Sequence, residues 1–111
     1  MRNAAQRHPD FRATLASRCH HAGEFFSIHV RANNLPYGRL GLIVAKRLLH
    51  KAVERNKVKR QLRAAVAAKR DRLRGVDIVV RVIRRYDQAS SARARTELTN
   101  HLEVVNTWTD C

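Results

Sequence analysis

The sequence predicts a single α+β domain, a small α/β sandwich in which helices pack against one sheet. Three observations carry this expectation. Residues 26–30 alternate, with Phe26, Ile28 and Val30 on one face and Ser27, His29 and Arg31 on the other, the pattern of a half-buried strand. Two short apolar runs, Leu40–Ala45 and Val76–Ile83, are each bounded by turn or charged residues. Between them, Val58, Leu62, Ala65, Val66 and Leu73 recur at helical spacing. A strand, a helix and a second strand in that order imply a crossover joining parallel strands.

In chain order, residues 1–8 are polar and basic and read as a flexible arm. His8-Pro9-Asp10 opens a helix, because proline suits the first turn. Phe11, Leu15 and Ala16 give it one apolar face, ending near Arg18. Gly23 breaks the chain before the alternating strand. Asn33-Asn34-Leu35-Pro36-Tyr37-Gly38 is turn chemistry. The run from Leu40 reads as a central strand, with Gly41 marking a bulge or a close approach. Leu48 to Lys51 connects it to a long helix from Ala52 to Leu73, which Gly75 stops. Val76 to Ile83 is rich in β-branched residues and forms another strand. Asp87 to Ser91 is a polar turn with helix-capping residues. A final helix turns Leu98, Leu102 and Val105 to the core, Trp108 caps it, and residues 107–111 fray.

The 111 residues suit one domain, with no linker, internal repeat or second unit. No apolar run is long enough to span a bilayer. Met1 to Asp10 lacks the apolar centre of a secretory signal, so a cytoplasmic protein is the expectation. Cys19 and Cys111 belong to no ligand spacing and read as free thiols in a reducing compartment.

Charge points to the partner. Lys and Arg number 23 against 9 Asp and Glu, a net +14. Such an excess favours polyanions. A membrane-surface helix would set bulky apolar residues opposite its cations; the helices here carry small and β-branched ones, so nucleic acid is the better partner. From Arg31 to Arg63 there are ten basic residues and one acidic residue, Glu54. Within that stretch, Asn56, Lys59, Arg60 and Arg63 share one flank of the long helix, beside its packing face. Arg55, Lys57 and Lys59 in the first turns oppose the helix dipole. A bound phosphate backbone would offset that cost.

The strand Arg39-Leu40-Gly41-Leu42-Ile43-Val44-Ala45 ends in the basic pair Lys46-Arg47, and the helix then reads Arg55-Asn56-x-x-Lys59-Arg60-x-x-Arg63. Gly75-x-Asp77 precedes the last strand, and Asp10-Phe11 stands in the first helix. This ordered set resembles the bacterial ribonuclease P protein family over about residues 8–105. The resemblance implies the order α-β-β-β-α-β-α and a ribosomal-protein-S5-domain-2-like sheet. It also implies a left-handed β-α-β crossover, where general rules favour a right-handed one. It implies the protein subunit of a ribonucleoprotein endonuclease that removes the 5′ leader of precursor tRNA. The RNA subunit, with Mg²⁺ bound mainly by RNA, would perform the hydrolysis. The implied partners are ribonuclease P RNA and precursor tRNA, with no membrane and no further protein. The implied RNA contacts are Arg55, Asn56, Lys57, Lys59, Arg60 and Arg63, with Lys46 and Arg47. Phe11, Leu15, Phe26 and Ile28 are candidates for a leader cleft between the first helix and the sheet, or else plain core. Two departures stand out. Lys57 occupies a position where arginine is common in the family, and the chain holds only six aromatic residues.

The histidines do not assemble a nuclease. His20 and His21 are adjacent and would point to opposite faces of a strand. His8, His50 and His101 read as surface residues. No catalytic or metal-binding residue is assigned, and Asp77, in an apolar strand, is expected to pair with an arginine or with backbone donors. The rival reading is a ribosomal or ribosome-assembly protein, which shares the charge without requiring the helix motif. A self-sufficient protein nuclease would need an acid/base or metal constellation that is not found.

Overall fold

The computed structural model describes residues 11–105. The proposed arm, the Pro9 helix start, Trp108, Cys111 and the frayed end lie outside the described residues. The elements are α1 (Arg12–Leu15), β1 (His20–Ala22), β2 (Phe26–Ala32), β3 (Arg39–Ile43), α2 (Ala52–Ala68), a 3-10 turn (Arg70–Arg72), β4 (Val76–Val82) and α3 (Ser91–Val104). The order matches the expectation. The sheet runs β1-β2-β4-β3. β2 pairs antiparallel with both β1 and β4, and β3 pairs parallel with β4.

β4 explains its own position. Val76, Asp77, Ile78, Val79, Val80 and Val82 are all buried and only Arg81 is exposed, so both faces are covered and both edges paired. β3 is different. Its apolar run reads as central, yet it forms the open edge and every residue in it is half-buried. Gly41 marks a close approach and not a bulge, because the register from Arg39↔Asp77 to Ile43↔Arg81 is unbroken. A Cβ at Gly41 would lie 2.8 Å from the Phe11 ring.

The core lies on one face of the sheet. Phe26, Ile28 and Val30 of β2 and Ile78, Val80 and Val82 of β4 meet Val58, Leu62 and Val66 of α2 and Leu98 and Leu102 of α3. Each fully buried Leu, Ile or Phe contributes on the order of 1.5–3 kcal/mol by leaving water. α2 stops at Ala68, short of the expected Leu73, and a 3-10 turn carries the chain to Leu73. Leu73 is buried through that turn, not through continued helix. Gly75, at φ +75°, makes the left-handed step into β4.

α1 covers the opposite face. It ends at Leu15, before the expected Arg18. Val79 is 1 % exposed yet stands outside the core cluster, and its register partners are His29 on β2 and Gly41 on β3. This second face therefore carries Ser27, His29, Val79, Arg81 and Gly41, with Phe11 above.

Two polar anchors fix the ends of the sheet. Asp77, 4 % exposed, accepts hydrogen bonds from Arg39 Nε and Nη2, both at 2.7 Å, and from Asn33 Nδ2 at 2.9 Å. The expected arginine partner is thus Arg39. At the other end, the Glu97 carboxylate accepts the main-chain N–H groups of Glu24, Phe25 and Phe26 at 2.7–3.1 Å, fixing the turn between β1 and β2. Two side-chain expectations are corrected. Cys19 is buried and disulfide-bonded, so it is not a free thiol. His101 is half-buried against His21, because the face of α3 that carries it packs over β1.

Candidate nucleic-acid interface

Lys51, which adopts an extended conformation, precedes α2 and gives it no side-chain cap. The first turn of α2 offers main-chain N–H donors and the positive end of the helix dipole. Along the outer surface, Asn56, Arg60 and Arg63 are exposed, and Lys59 is half-buried at their flank. None of these four side chains makes a hydrogen bond or ion pair with another described residue. No described carboxylate pairs with these cations, and an anionic backbone would offset their mutual repulsion.

The other two motif positions behave differently. Arg55 turns inward, and its Nη1 donates to the carbonyls of Leu49 at 2.9 Å and His50 at 2.8 Å. It thereby ties the β3–α2 connection to the helix. Lys57 lies about 100° around the helix from Asn56 and lines a cavity toward α3. The six motif residues thus divide into an exposed stripe of four, one tether and one cavity residue.

Lys46 and Arg47 are exposed on a turn directly after β3. Leu48 and Leu49 donate back to the Ala45 carbonyl at 3.1 and 3.2 Å. Leu49 is 3 % exposed, which anchors the turn from below and leaves its two cations outside. The Arg55 tether grips the far end of the same turn. Sequence fixes the pair at a strand end; only the fold shows that Arg55 orients it.

On the second face of the sheet, the cleft candidates separate. Phe11 packs over Gly41, and Leu15 is half-buried on α1. Phe26 and Ile28 are 1 % and 0 % exposed in the main core, on the side away from α1. They are core residues, not cleft walls. The floor beneath α1 comes from alternate positions of the strands, Ser27 and His29 on β2 and Arg81 on β4. The signal for them was the same alternation that marks Phe26 and Ile28. Its apolar side packs on the two long helices, which leaves the polar side for the short one.

His29 is the most unusual group there. Its Nε2 lies 2.8 Å from Ser27 Oγ, its Nδ1 is buried, and its ring stacks on His20 at 5.5 Å. Burial lowers its pKa, His20 and Arg81 lower it further, and the Leu15 main chain opposes the shift. The imidazole is therefore held neutral. His21 turns to the other side, 4.7 Å from His101, so the two adjacent histidines do face opposite ways. Among the described residues no group of three or more His, Cys, Asp or Glu could hold a metal ion, and no helix is long and apolar enough to cross a membrane.

Known proteins share this arrangement. The family model for Ribonuclease P matches residues 2–106. The ribonuclease P protein component of Nitrosomonas europaea is 36% identical over 88 residues, covering 79% of this chain and 74% of that protein. That of Nitrosomonas eutropha is 37% identical over 90 residues, with the same coverage. Among solved structures, the RNase P protein from Thermotoga maritima superposes with a TM-score of 0.63 at 26% identity, over 100% of this chain and 97% of that one. The Staphylococcus aureus RNase P protein gives a TM-score of 0.64 at 26% identity, over 95% and 89%. A family model matched over residues 2–106, relatives matched over most of their length, and a shared fold converge on one conclusion: the chain belongs to the ribonuclease P protein family.

Proposed function

We propose that this protein, as the protein component of the ribonuclease P endoribonuclease, docks on the catalytic RNA through the α2 stripe and holds the 5′ leader of precursor tRNA against the α1 face of the sheet. The observation that carries the reading is the uncapped, cation-rich start of α2, whose exposed Asn56, Arg60 and Arg63 make no side-chain bond to a described residue. Lys46 and Arg47, oriented by Arg55, extend that surface beyond the end of β3. Arginine suits the task because its planar fork grips phosphate oxygens bidentately.

The leader would run across Ser27, His29 and Arg81 beneath α1. Phe11 supplies an aromatic face for one base, and Arg81 supplies a cation for the backbone. A neutral His29, its Nε2 held by Ser27 Oγ, adds no charge to this floor. Among the described residues no group of three or more His, Cys, Asp or Glu forms a metal cradle. In this reading Mg²⁺ is held mainly by RNA and supplies the hydrolytic chemistry there. The chain's own work is to bind, to orient the leader and to lower repulsion between two polyanions. It would do so in the cytoplasm, where precursor tRNA is processed.

The test is cleavage of precursor tRNA by a bacterial ribonuclease P RNA at near-physiological Mg²⁺, with and without the protein. The protein alone should be inert, and the pair should cut at the mature 5′ end far faster than the RNA alone. An equally basic control protein giving the same acceleration would overturn the assignment.

A further inference from the structure

A cavity of about 250 Å³ opens where the edge strand β3 meets the second half of α2. That volume is below the roughly 300 Å³ at which drug-sized sites begin, so it suits one ring system. Its floor is apolar: Val66, Leu73 and Ile78 are buried core residues, and Leu40 beside them is half-buried. Gly38 closes one end, because its missing side chain lets the backbone lie against Leu73; a Cβ there would stand 2.5 Å from the Leu73 main-chain oxygen. These walls belong to packed elements, so the cavity is formed before anything enters it.

The rim is cationic. Arg39, Arg63 and Arg70 line it, and no lining side chain is a carboxylate or any other hydrogen-bond acceptor. Asp77 fixes Arg39 through Nε and Nη2, both at 2.7 Å. The guanidinium is thus held in place while its Nη1 makes no bond to a described residue. Arg63 and Arg70 form no ion pair with a described residue. A phosphate site alone would not need the apolar floor, and an apolar ligand would not need three arginines. A nucleotide uses both, with a flat base on the floor and phosphates at Arg63 and Arg70. Arginine only donates hydrogen bonds, so guanine or uracil, edged with carbonyl oxygens, suits Arg39 Nη1. The amino edge of adenine or cytosine would meet no side-chain acceptor.

Position supplies the source. At 100° per residue, Arg63, Val66 and Ala67 of the cavity point within about 20° of the mean direction of Asn56, Lys59, Arg60 and Arg63. Arg63 belongs to both sets. RNA lying along the stripe therefore reaches the cavity mouth on the same side of the helix, and Arg70 continues the cations past the helix end. Proteins that recognise RNA by sequence take up unpaired, splayed bases of loops and bulges.

We propose that this cavity receives one unpaired guanine or uracil of the catalytic RNA docked on α2, with the flanking phosphates at Arg63 and Arg70. The inference rests on the docking proposed above, and its test separates the two. The protein is assembled with ribonuclease P RNA, and two footprints are taken. Hydroxyl radicals report the backbone; kethoxal (guanine), a carbodiimide (uracil) and dimethyl sulfate (adenine and cytosine) report base edges. Ala67→Leu fills the cavity mouth without touching a charge, and leucine is a good helix former at that exposed position. Ala68→Leu is the control, also exposed and about 100° around the helix. In the unaltered complex one unpaired guanine or uracil should be protected. It should regain reactivity with Ala67→Leu, with the backbone footprint retained and affinity about 10-fold lower, and should stay protected with Ala68→Leu. Arg70→Gln, outside the stripe, should remove backbone protection beside that base alone. Base reactivity unchanged by Ala67→Leu, or relieved equally by Ala68→Leu, overturns the proposal while leaving docking intact, as does backbone protection unmoved by Arg70→Gln. Protection confined to adenine or cytosine overturns it too. A protected base that appears only after precursor tRNA is added overturns it in favour of the substrate. Absence of any backbone footprint on the unaltered complex removes the docking itself, and the proposal with it.

Discussion

Neutralising Arg60 and Arg63 together should weaken binding of the catalytic RNA by an amount set by salt. Both side chains are exposed and make no ion pair with a described residue, so Arg60→Gln and Arg63→Gln remove no internal contact and should leave the melting temperature unchanged. Each phosphate contact releases counterions and contributes about 0.7 to 0.9 to the slope of log K against log salt. Losing one contact should therefore cost about 5- to 8-fold at 0.1 M salt, and losing both about 25- to 60-fold. The curves for variant and unaltered protein should converge near 1 M. The control is Arg72→Gln, which removes the same charge from an arginine already paired with Glu103 at 3.3 Å. The assay is fluorescence or filter binding to ribonuclease P RNA across a salt series. If Arg72→Gln flattens the slope as much as Arg60→Gln or Arg63→Gln, affinity follows net charge and the stripe has no special standing.

Other outcomes follow from single contacts. Arg55→Met should loosen the turn bearing Lys46 and Arg47, because it removes the Nη1 group that donates to both the Leu49 and His50 carbonyls. A loss of about 1 kcal/mol in urea unfolding is expected, with a smaller change in salt slope than Arg63→Gln gives. Asp77→Asn should cost about 2–3 kcal/mol, less than a fully buried pair because Arg39 is 30% exposed. Burial raises the Asp77 pKa, but its bonds to Arg39 and Asn33 outweigh this and the net shift is down. Its stabilisation is therefore present above the unfolded carboxylate pKa and is lost as pH falls through the lowered value, and a pH series of melting temperatures on both proteins should show that loss only in the unaltered one. His29 also has a lowered pKa, so its neutral form stabilises the fold above about pH 6.5, and that contribution should disappear on acidification. His29→Gln should flatten melting temperature between about pH 7 and pH 5. Gly41→Ala should push Phe11 off the sheet and cost about 1 kcal/mol or more. It should lower affinity for a leader-bearing tRNA more than affinity for the catalytic RNA.

The sequence showed most of this architecture because its periodicities are clean. Phe26, Ile28 and Val30 alternate with polar residues and are buried as that alternation requires. Val58, Leu62 and Val66 fall one turn apart and form the packing seam of α2. The misread elements share a physical cause, since an apolar run reports burial but not its depth. Leu40, Leu42 and Val44 are only partly buried at the open edge, yet their sequence is as apolar as that of a central strand. Leu73 obeys helical spacing and is buried, but a 3-10 turn delivers it. At the site, charge and spacing marked the stripe, whereas the inward turn of Arg55 depends on carbonyls of Leu49 and His50 that no helical pattern announces. The resemblance implies Ile28 as either cleft wall or plain core, and pleating settles it as core, on the face opposite Ser27 and His29.

The position of β4 has a consequence for how the molecule comes into being. Among the described residues β3 pairs only with β4, and β2 has β4 as its longer partner beside the short β1; β4 leaves the ribosome after all of them and after α2. Until residues 76–82 are available, the earlier strands have no central ladder to join, and the apolar side of α2 has no sheet to cover. Assembly therefore waits on distant pairings, the kind that slow folding. A nascent chain paused within α2 displays its full set of helix cations with its core still unbuilt. Substitutions in β4 should accordingly slow refolding more than equally destabilising ones in β1, whose contacts are made at the margin of a sheet already closed.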